Sequence, residues 1–153
     1  MDNCCKIFLG SPSDTYEERR TIREVVDILN KTIGPAYDIT IKLLTWEDST
    51  YPAVATYPQE AINEQIGNDY TIFIGIMWKA FGSQTQKAGS GTEEEFNNAY
   101  ENYVSGGSCK NIMFYFNQAP LPQDTDFVQF AKVQAFKSKI PENGVYYGTY
   151  DGL

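Results

Sequence analysis

The sequence contains no histidine and only three cysteines, so two common sources of catalytic chemistry are missing or scarce. Without histidine, the chain lacks the usual general base of serine and cysteine hydrolases and the commonest ligand of transition metals. The cysteines, Cys4, Cys5 and Cys109, form neither a C-x-x-C pair nor an even framework. We therefore expect no disulfides, no metal site and no metal cofactor. Any catalysis would have to rest on carboxylates.

Positive charge and long apolar runs are also scarce. The chain has 12 Lys and Arg residues and 20 Asp and Glu residues, so its formal net charge is −8. Such a field repels phosphate backbones and anionic membranes, so nucleic acid and membrane are not expected as direct partners. The first apolar run, Ile7 to Leu9, is far too short for a signal peptide, and no run approaches the roughly 20 apolar residues of a membrane helix. The sequence predicts a cytoplasmic protein.

The pattern of the remaining residues predicts strands and helices in alternation. The 153 residues, 42% of them apolar, fit one domain of ordinary size. Apolar runs predict strands at 5–9, 38–44, 70–77, 111–116 and 145–150, and helical periodicity predicts helices at 14–33, 58–67, 92–104 and 124–138. The prediction is a flavodoxin-like α/β fold, a five-stranded parallel sheet of order 2-1-3-4-5 with helices on both faces. A last helix usually follows strand five, so we expect this chain to be the N-terminal domain of a longer protein.

Several local features sharpen this prediction. Asp14 and Glu17 have capping-box spacing and predict the start of the first helix, which Gly34-Pro35 would stop. Three arginines of that helix are expected on a solvated face among glutamates. They are Arg19, Arg20 and Arg23. Residues 80–91, rich in Gly, Ser and Gln, predict a mobile surface loop.

Ligands of open parallel sheets bind beyond the carboxyl ends of the strands, where the strand order reverses. By that rule we expect polar and aromatic residues after three strands to lie at one ligand site. They are Ser11, Ser13 and Asp14 after strand one, Trp46, Glu47 and Asp48 after strand two, and Trp78 and Phe81 after strand three. The helix that begins at Thr92 follows directly and carries Glu95, our candidate catalytic carboxylate. Simpler interpretations exist, because Thr92-x-x-Glu95 is also a capping box, Asp14 could be a helix cap and the tryptophans could be core residues.

The motifs together resemble a known family. Lys6 to Asp14 followed by Glu17-Glu18-Arg19 looks like the opening of TIR-like domains, which stand at the N-terminus of larger NACHT-type or repeat proteins and of bacterial immune proteins. The resemblance continues through Trp46-Glu47-Asp48, the Gln59 to Ile66 helix, Asp69 to Gly75, and Gly91 to Phe96 with Ala99, and it covers nearly the whole chain. Gly91-Thr92-x-x-Glu95 also resembles a segment of nucleoside deoxyribosyltransferases, a related fold. Bacterial TIR domains carry a glutamate at the corresponding place that supports NAD⁺ cleavage.

The resemblance implies an NAD⁺ glycohydrolase, active on self-assembly in bacterial antiphage defence, with NAD⁺ as substrate and no cofactor. Glu95 would hold the ribose and the developing cation, and Ser11 with nearby amides would bind phosphate. Trp46 and Trp78 would stack on rings, Asp48 would orient a ribose hydroxyl, and loop 80–91 would close over the site. The remaining expected substrate-binding residues are Ser13, Asp14, Phe81 and Thr92.

Cleavage of the nicotinamide–ribose bond agrees with the composition. The reaction passes through an oxocarbenium-like centre that one carboxylate can stabilise, and nicotinamide leaves as a neutral molecule without a general acid. Two alternatives remain open at the sequence level. One is a non-catalytic oligomerisation or interaction module, and the other is a nucleotide-processing or nucleotide-binding domain of the deoxyribosyltransferase type.

Overall fold

Five parallel strands form one sheet in the order β2-β1-β3-β4-β5. The computed structural model describes residues 3–45, 59, 63, 66–67, 69–85 and 87–152. The strands are β1 (Asn3–Gly10), β2 (Ile39–Leu44), β3 (Ile72–Met77), β4 (Asn111–Asn117) and β5 (Tyr147–Tyr150). The predicted flavodoxin-like α/β fold is therefore confirmed.

Four helices have both ends within the described ranges. They are α1 (Tyr16–Lys31), α2 (Ile33–Tyr37), α3 (Gly91–Val104) and α4 (Phe127–Lys139), with 3₁₀ turns at Ser13–Thr15 and Ile140–Asn143. Of the helix predicted at 58–67, the structure describes Gln59, Asn63 and Ile66 as helical, and the rest of that prediction lies outside the described residues. Gly67 follows with a positive φ of 77° and donates to the Asn63 carbonyl, as expected where a helix ends.

The start of the first helix was predicted incorrectly. Thr15 occupies the N-cap position of helix α1, although its side chain makes no capping bond. Asp14 lies one residue earlier, in the 3₁₀ turn. The predicted end also differs, because α1 stops at Lys31 and Gly34-Pro35 lies inside the short helix α2. Proline is tolerated in a first helical turn, where its missing N–H has no partner to lose. A Cβ on Gly34 would lie 2.6 Å from the Ile39 carbonyl oxygen, so the return into β2 requires glycine there.

Aromatic side chains fill the core between the sheet and helices α3 and α4. Phe114 of β4 and Phe96 of α3 both pack on Phe136 of α4, with ring centroids 5.3 and 5.5 Å apart. Phe73 of β3 packs against the same group and is fully buried. Gly75 leaves room for the Phe114 ring, because a Cβ there would lie 2.2 Å from that ring. This packing fixes α3, and hence Glu95, over the carboxyl ends of β1 and β3.

Among the helices of the described ranges, none combines the length and the apolar content that a membrane span requires.

Candidate functional site

The N-terminus of α3 is capped without any contribution from Glu95. Ser90 is the N-cap, and its Oγ accepts a hydrogen bond of 3.1 Å from the Glu93 N–H. The Glu93 carboxylate in turn accepts a 2.7 Å bond from the Gly89 N–H. Because Ser90 and Glu93 satisfy these groups, the alternative interpretation of Thr92 and Glu95 as a capping box was wrong. Glu95 lies two residues after Glu93, on another face of the helix, and its carboxyl group is not used to cap it.

Glu95 instead lines a cavity at the edge of the sheet. The cavity has a volume of about 230 Å³ and lies beyond the carboxyl ends of β1 and β3, where the strand order reverses. We call it the Glu95 cavity. It is lined by Ser11, Pro12, Ser13, Gln59, Phe81, Gly82, Gly91, Thr92 and Glu95. This is the place where open parallel sheets bind their ligands.

The structure brings together five of the nine predicted site residues. Ser11, Ser13, Phe81, Thr92 and Glu95 all line the Glu95 cavity. All five are buried except Ser13, which is exposed at the start of the 3₁₀ turn after β1. The Glu95 side chain is only 3% exposed, so a ligand that reached it would be shielded from water.

The other four predicted residues do not line this cavity or cannot be placed. Trp46 and Asp48 lie outside the described residues. Trp78 lines a neighbouring cavity on the β4 side of the sheet. Asp14 holds the chain after β3, where its Oδ2 accepts hydrogen bonds of 3.1 and 3.0 Å from the N–H groups of Lys79 and Ala80. Asp14 thus stabilises the loop rather than capping a helix.

Burial raises the pKa of Glu95 from its usual value of 4.5 to about 8, because the carboxylate loses its hydration. A hydrogen bond from Gln59 opposes that shift, and the nearby charge of Glu94 adds to it. Without a charged ligand beside it, the carboxyl group is therefore mostly protonated at neutral pH. A cation that entered the cavity would favour the charged form and release this proton.

Gln59 and its neighbours form a polar network that the sequence did not reveal. The Gln59 amide donates to Asn63 Oδ1 over 2.9 Å, and Asn63 donates to the buried carboxylate of Glu94. Thr85 donates to the other oxygen of Glu94 over 2.7 Å. One signal was available, since Gln59 and Asn63 are spaced four apart and share a helix face. The network fixes the Gln59 side chain beside Glu95.

A buried arginine lies behind the Ser11 side of the cavity. Arg19 is 2% exposed, and its Nη1 donates to Ser11 Oγ over 2.9 Å and to the Pro12 carbonyl over 2.7 Å. The prediction that Arg19 lies on a solvated helix face was wrong, whereas Arg20 does lie there between Glu17 and Glu24. Because Ser11 Oγ accepts from Arg19, its own hydrogen can donate to an oxygen of a ligand in the cavity.

The segment after β3, predicted as a mobile loop, is held by side chains of other elements. The N–H groups of Phe81 and Gly82 both donate to Gln129 Oε1 of α4 over 2.9 Å. Thr85 is bound to Glu94, as described above, and Gly89 is bound to Glu93. These contacts fix the side of the Glu95 cavity formed by Phe81 and Gly82.

Fold and site together define a flavodoxin-like α/β domain with a buried carboxyl group in a cavity at its topological switch point. Sequence comparison identifies the family more closely. The model of the family described as "Domain of unknown function (DUF4062)" matches residues 6–152, so the chain belongs to that family. Comparisons with curated proteins and with solved structures found no match.

Proposed function

We propose that this domain is a TIR-like NAD⁺ glycohydrolase that cleaves the nicotinamide–ribose bond, as an assembly-activated effector of bacterial antiphage defence. One observation carries the proposal. The Glu95 carboxyl group lies buried in a cavity at the sheet edge, while Ser90 and Glu93 perform the capping that would otherwise explain an acidic residue there. The resemblance of the Gly91 to Phe96 segment to NAD⁺-cleaving and deoxyribosyl-transferring enzymes supports the same assignment.

The proposed chemistry needs one carboxylate and no metal or histidine. The pyridinium of NAD⁺ enters the Glu95 cavity and, as a cation, favours the ionised form of Glu95. The bond between ribose C1′ and the ring nitrogen breaks, and its electron pair stays on the nitrogen, which gives neutral nicotinamide. The Glu95 carboxylate stabilises the cationic C1′ centre. Water then adds to C1′ and loses a proton, so that the products are ADP-ribose, nicotinamide and one proton.

Two further groups of the cavity have roles in this proposal. Ser11, held by Arg19, would donate its hydroxyl hydrogen to a phosphate or ribose oxygen. Gln59 would keep the Glu95 carboxylate oriented by the hydrogen bond between them. Thr92 and Phe81 would enclose the ribose and exclude water, which strengthens the electrostatic effect of Glu95.

The test measures nicotinamide release from NAD⁺ by concentrated protein, with and without a crowding agent. We expect Glu95→Gln to lower the rate by on the order of 100-fold or more, because it removes the charge and keeps the size. Glu101→Gln is the matched control, since Glu101 is an exposed carboxylate on the same helix. Equal rates in the two variants, or no release by the wild type under any assembly condition, would contradict the proposal. Base exchange in place of hydrolysis would indicate transferase activity.

A further inference from the structure

A second cavity opens beside the Glu95 cavity at the same edge of the sheet. It has a volume of about 320 Å³ and lies at the carboxyl ends of β3 and β4. We call it the Trp78 cavity. Its side chains include Trp78, Phe116, Phe130, Gln134 and Lys137, and the segment 117–121 completes it.

The lining of the Trp78 cavity suits a flat, uncharged heteroaromatic ring. Trp78 and Phe130, both partly exposed, supply aromatic surface, on which nucleobases stack irrespective of their identity. The Lys137 ammonium, which lies 5.5 Å from the centroid of the buried Phe116 ring, adds a cation to the lining. Gln134 adds an amide, the group that pairs with the donor and acceptor pattern of adenine.

The short segment 78–82 contributes residues to both cavities. Trp78 lines one cavity, and Phe81 and Gly82 line the other. Helix α4 links them as well, because Gln129 binds the N–H groups of Phe81 and Gly82 and the next residue, Phe130, lines the Trp78 cavity. Both cavities open at the ends of parallel strands, and β3, which leads directly into the segment 78–82, is adjacent to β1 and to β4. A single elongated ligand could therefore reach both.

The sizes of the cavities favour one ligand divided between them. Pockets for drug-sized ligands have volumes of about 300–1,000 Å³, and the Glu95 cavity, with about 230 Å³, is smaller than that range. It suits the nicotinamide riboside half of a dinucleotide and not the whole molecule. The segment 78–82 also contains Lys79, whose ammonium lies 4.7 Å from the Trp78 ring centroid and 3.8 Å from Asp14 Oδ2. A pyrophosphate that bridged the cavities would pass this cation.

We propose that the Trp78 cavity binds the adenine ring of a dinucleotide whose nicotinamide riboside half occupies the Glu95 cavity. The substrate class is then a pyridine dinucleotide rather than a mononucleotide or a nucleoside. This inference rests on the proposed function for its chemistry. It also makes a prediction about binding that does not require turnover.

The kinetic test compares NAD⁺ with nicotinamide mononucleotide, which has the same scissile bond and no adenine. Wild type should cleave NAD⁺ with the higher kcat/KM, and Trp78→Ala should raise KM for NAD⁺ roughly tenfold or more without changing KM for the mononucleotide. Trp78→Phe, which keeps an aromatic face, should retain most of the preference for NAD⁺ over nicotinamide mononucleotide. Tyr37→Ala, which removes an exposed aromatic residue of α2, serves as the control. Equal effects on both substrates, or a wild type without preference, would overturn the inference.

A binding test separates this inference from the proposed function. Calorimetry with AMP should show binding to wild type and to Glu95→Gln, and much weaker binding to Trp78→Ala. Thermal unfolding of each variant checks that it is folded. If AMP binds in this way and no NAD⁺ is cleaved, the proposed function fails and the adenine site stands. If NAD⁺ is cleaved and AMP does not bind, or binds equally to Trp78→Ala, the adenine site is wrong.

Discussion

The carboxyl group of Glu95 is held in an environment that makes its charge depend on the ligand. Burial raises its pKa to about 8, and the hydrogen bond from Gln59 limits that rise. A neutral carboxyl group costs little to keep in a cavity of this kind, whereas an unpaired carboxylate costs several kcal/mol. Entry of a cation reverses this preference. The site is therefore suited to substrates that bring a positive charge to Glu95.

This arrangement predicts a pH dependence of cleavage. Only the ionised form of Glu95 stabilises the oxocarbenium-like centre, and kcat/KM reports the ionisation of the free enzyme. We expect kcat/KM for NAD⁺ to rise by up to tenfold per pH unit below a pH of about 8 and to level off above it. Rates measured between roughly pH 5.5 and 9.5 would check this. A flat profile over that range would mean that the Glu95 pKa is not raised or that Glu95 does not act.

The same pKa has a consequence for stability that needs no substrate. The unfolded chain loses the Glu95 proton near pH 4.5, and the folded chain keeps it until about pH 8. Between these values the folded state binds more protons, so the free energy of unfolding falls as pH rises. Glu95→Gln removes that contribution. Denaturant unfolding of both proteins at several pH values should therefore show wild type losing stability relative to the variant across this window.

Arg19 could not be placed from the helical pattern of the sequence, whereas Glu95 could. In the sequence Arg19 stands among charged residues that continue around α1, and nothing in their spacing distinguishes it from Arg20. The structure buries Arg19 because the chain before α1 folds back and offers it the oxygens of Ser11, Pro12 and Thr15. Glu95 could be predicted because its position depends mainly on the strand order and the start of α3.

At the scale of elements, the fold could be predicted because its signals are local. Apolar runs give the strands, and the repeated strand and helix pattern implies the order of the sheet. The start of α1 could not be predicted in this way. The carboxylate of Asp14, which has the spacing of a helix cap, binds Lys79 and Ala80 more than 60 residues later in the chain. A contact between distant segments has no signature in a short window of sequence.

Helix α4 supports the Glu95 cavity through one side-chain oxygen. Gln129 Oε1 accepts from both Phe81 and Gly82, which form one side of the Glu95 cavity. We expect Gln129→Leu to lower the free energy of unfolding by about 1–3 kcal/mol, because two N–H groups lose their acceptor. It should also raise KM for NAD⁺. Denaturant unfolding and steady-state kinetics would measure the two effects.

Gln129→Glu is the matched control for that experiment, because a carboxylate oxygen can accept the same two bonds. It should retain most of the stability and most of the affinity that Gln129→Leu loses. If both variants behave like wild type, the bonds from Gln129 do not hold the loop. If both lose stability equally, the effect comes from a change in the packing of α4 and not from the lost acceptor.

At the scale of the whole molecule, both cavities lie at the same side of the sheet, where its strands have their carboxyl ends. The carboxyl ends of β1, β3 and β4 meet at this edge, and the helices behind them form the walls. That location could be predicted from the strand order alone. The division into two cavities could not, because it depends on where the segment 78–82 runs, and Asp14 and Gln129 determine that path.

The net charge of −8 bears on the proposed activation by assembly. Like charge on every copy opposes association, and salt screens it, with a Debye length of about 10 Å at 0.1 M and about 3 Å at 1 M. We therefore expect the specific activity at saturating NAD⁺ to rise with protein concentration and to rise further with salt. Saturation matters, because salt also alters the binding of an anionic substrate. Sedimentation of the same samples should show larger species under the active conditions. A specific activity independent of concentration and salt would mean that the isolated domain acts as a monomer.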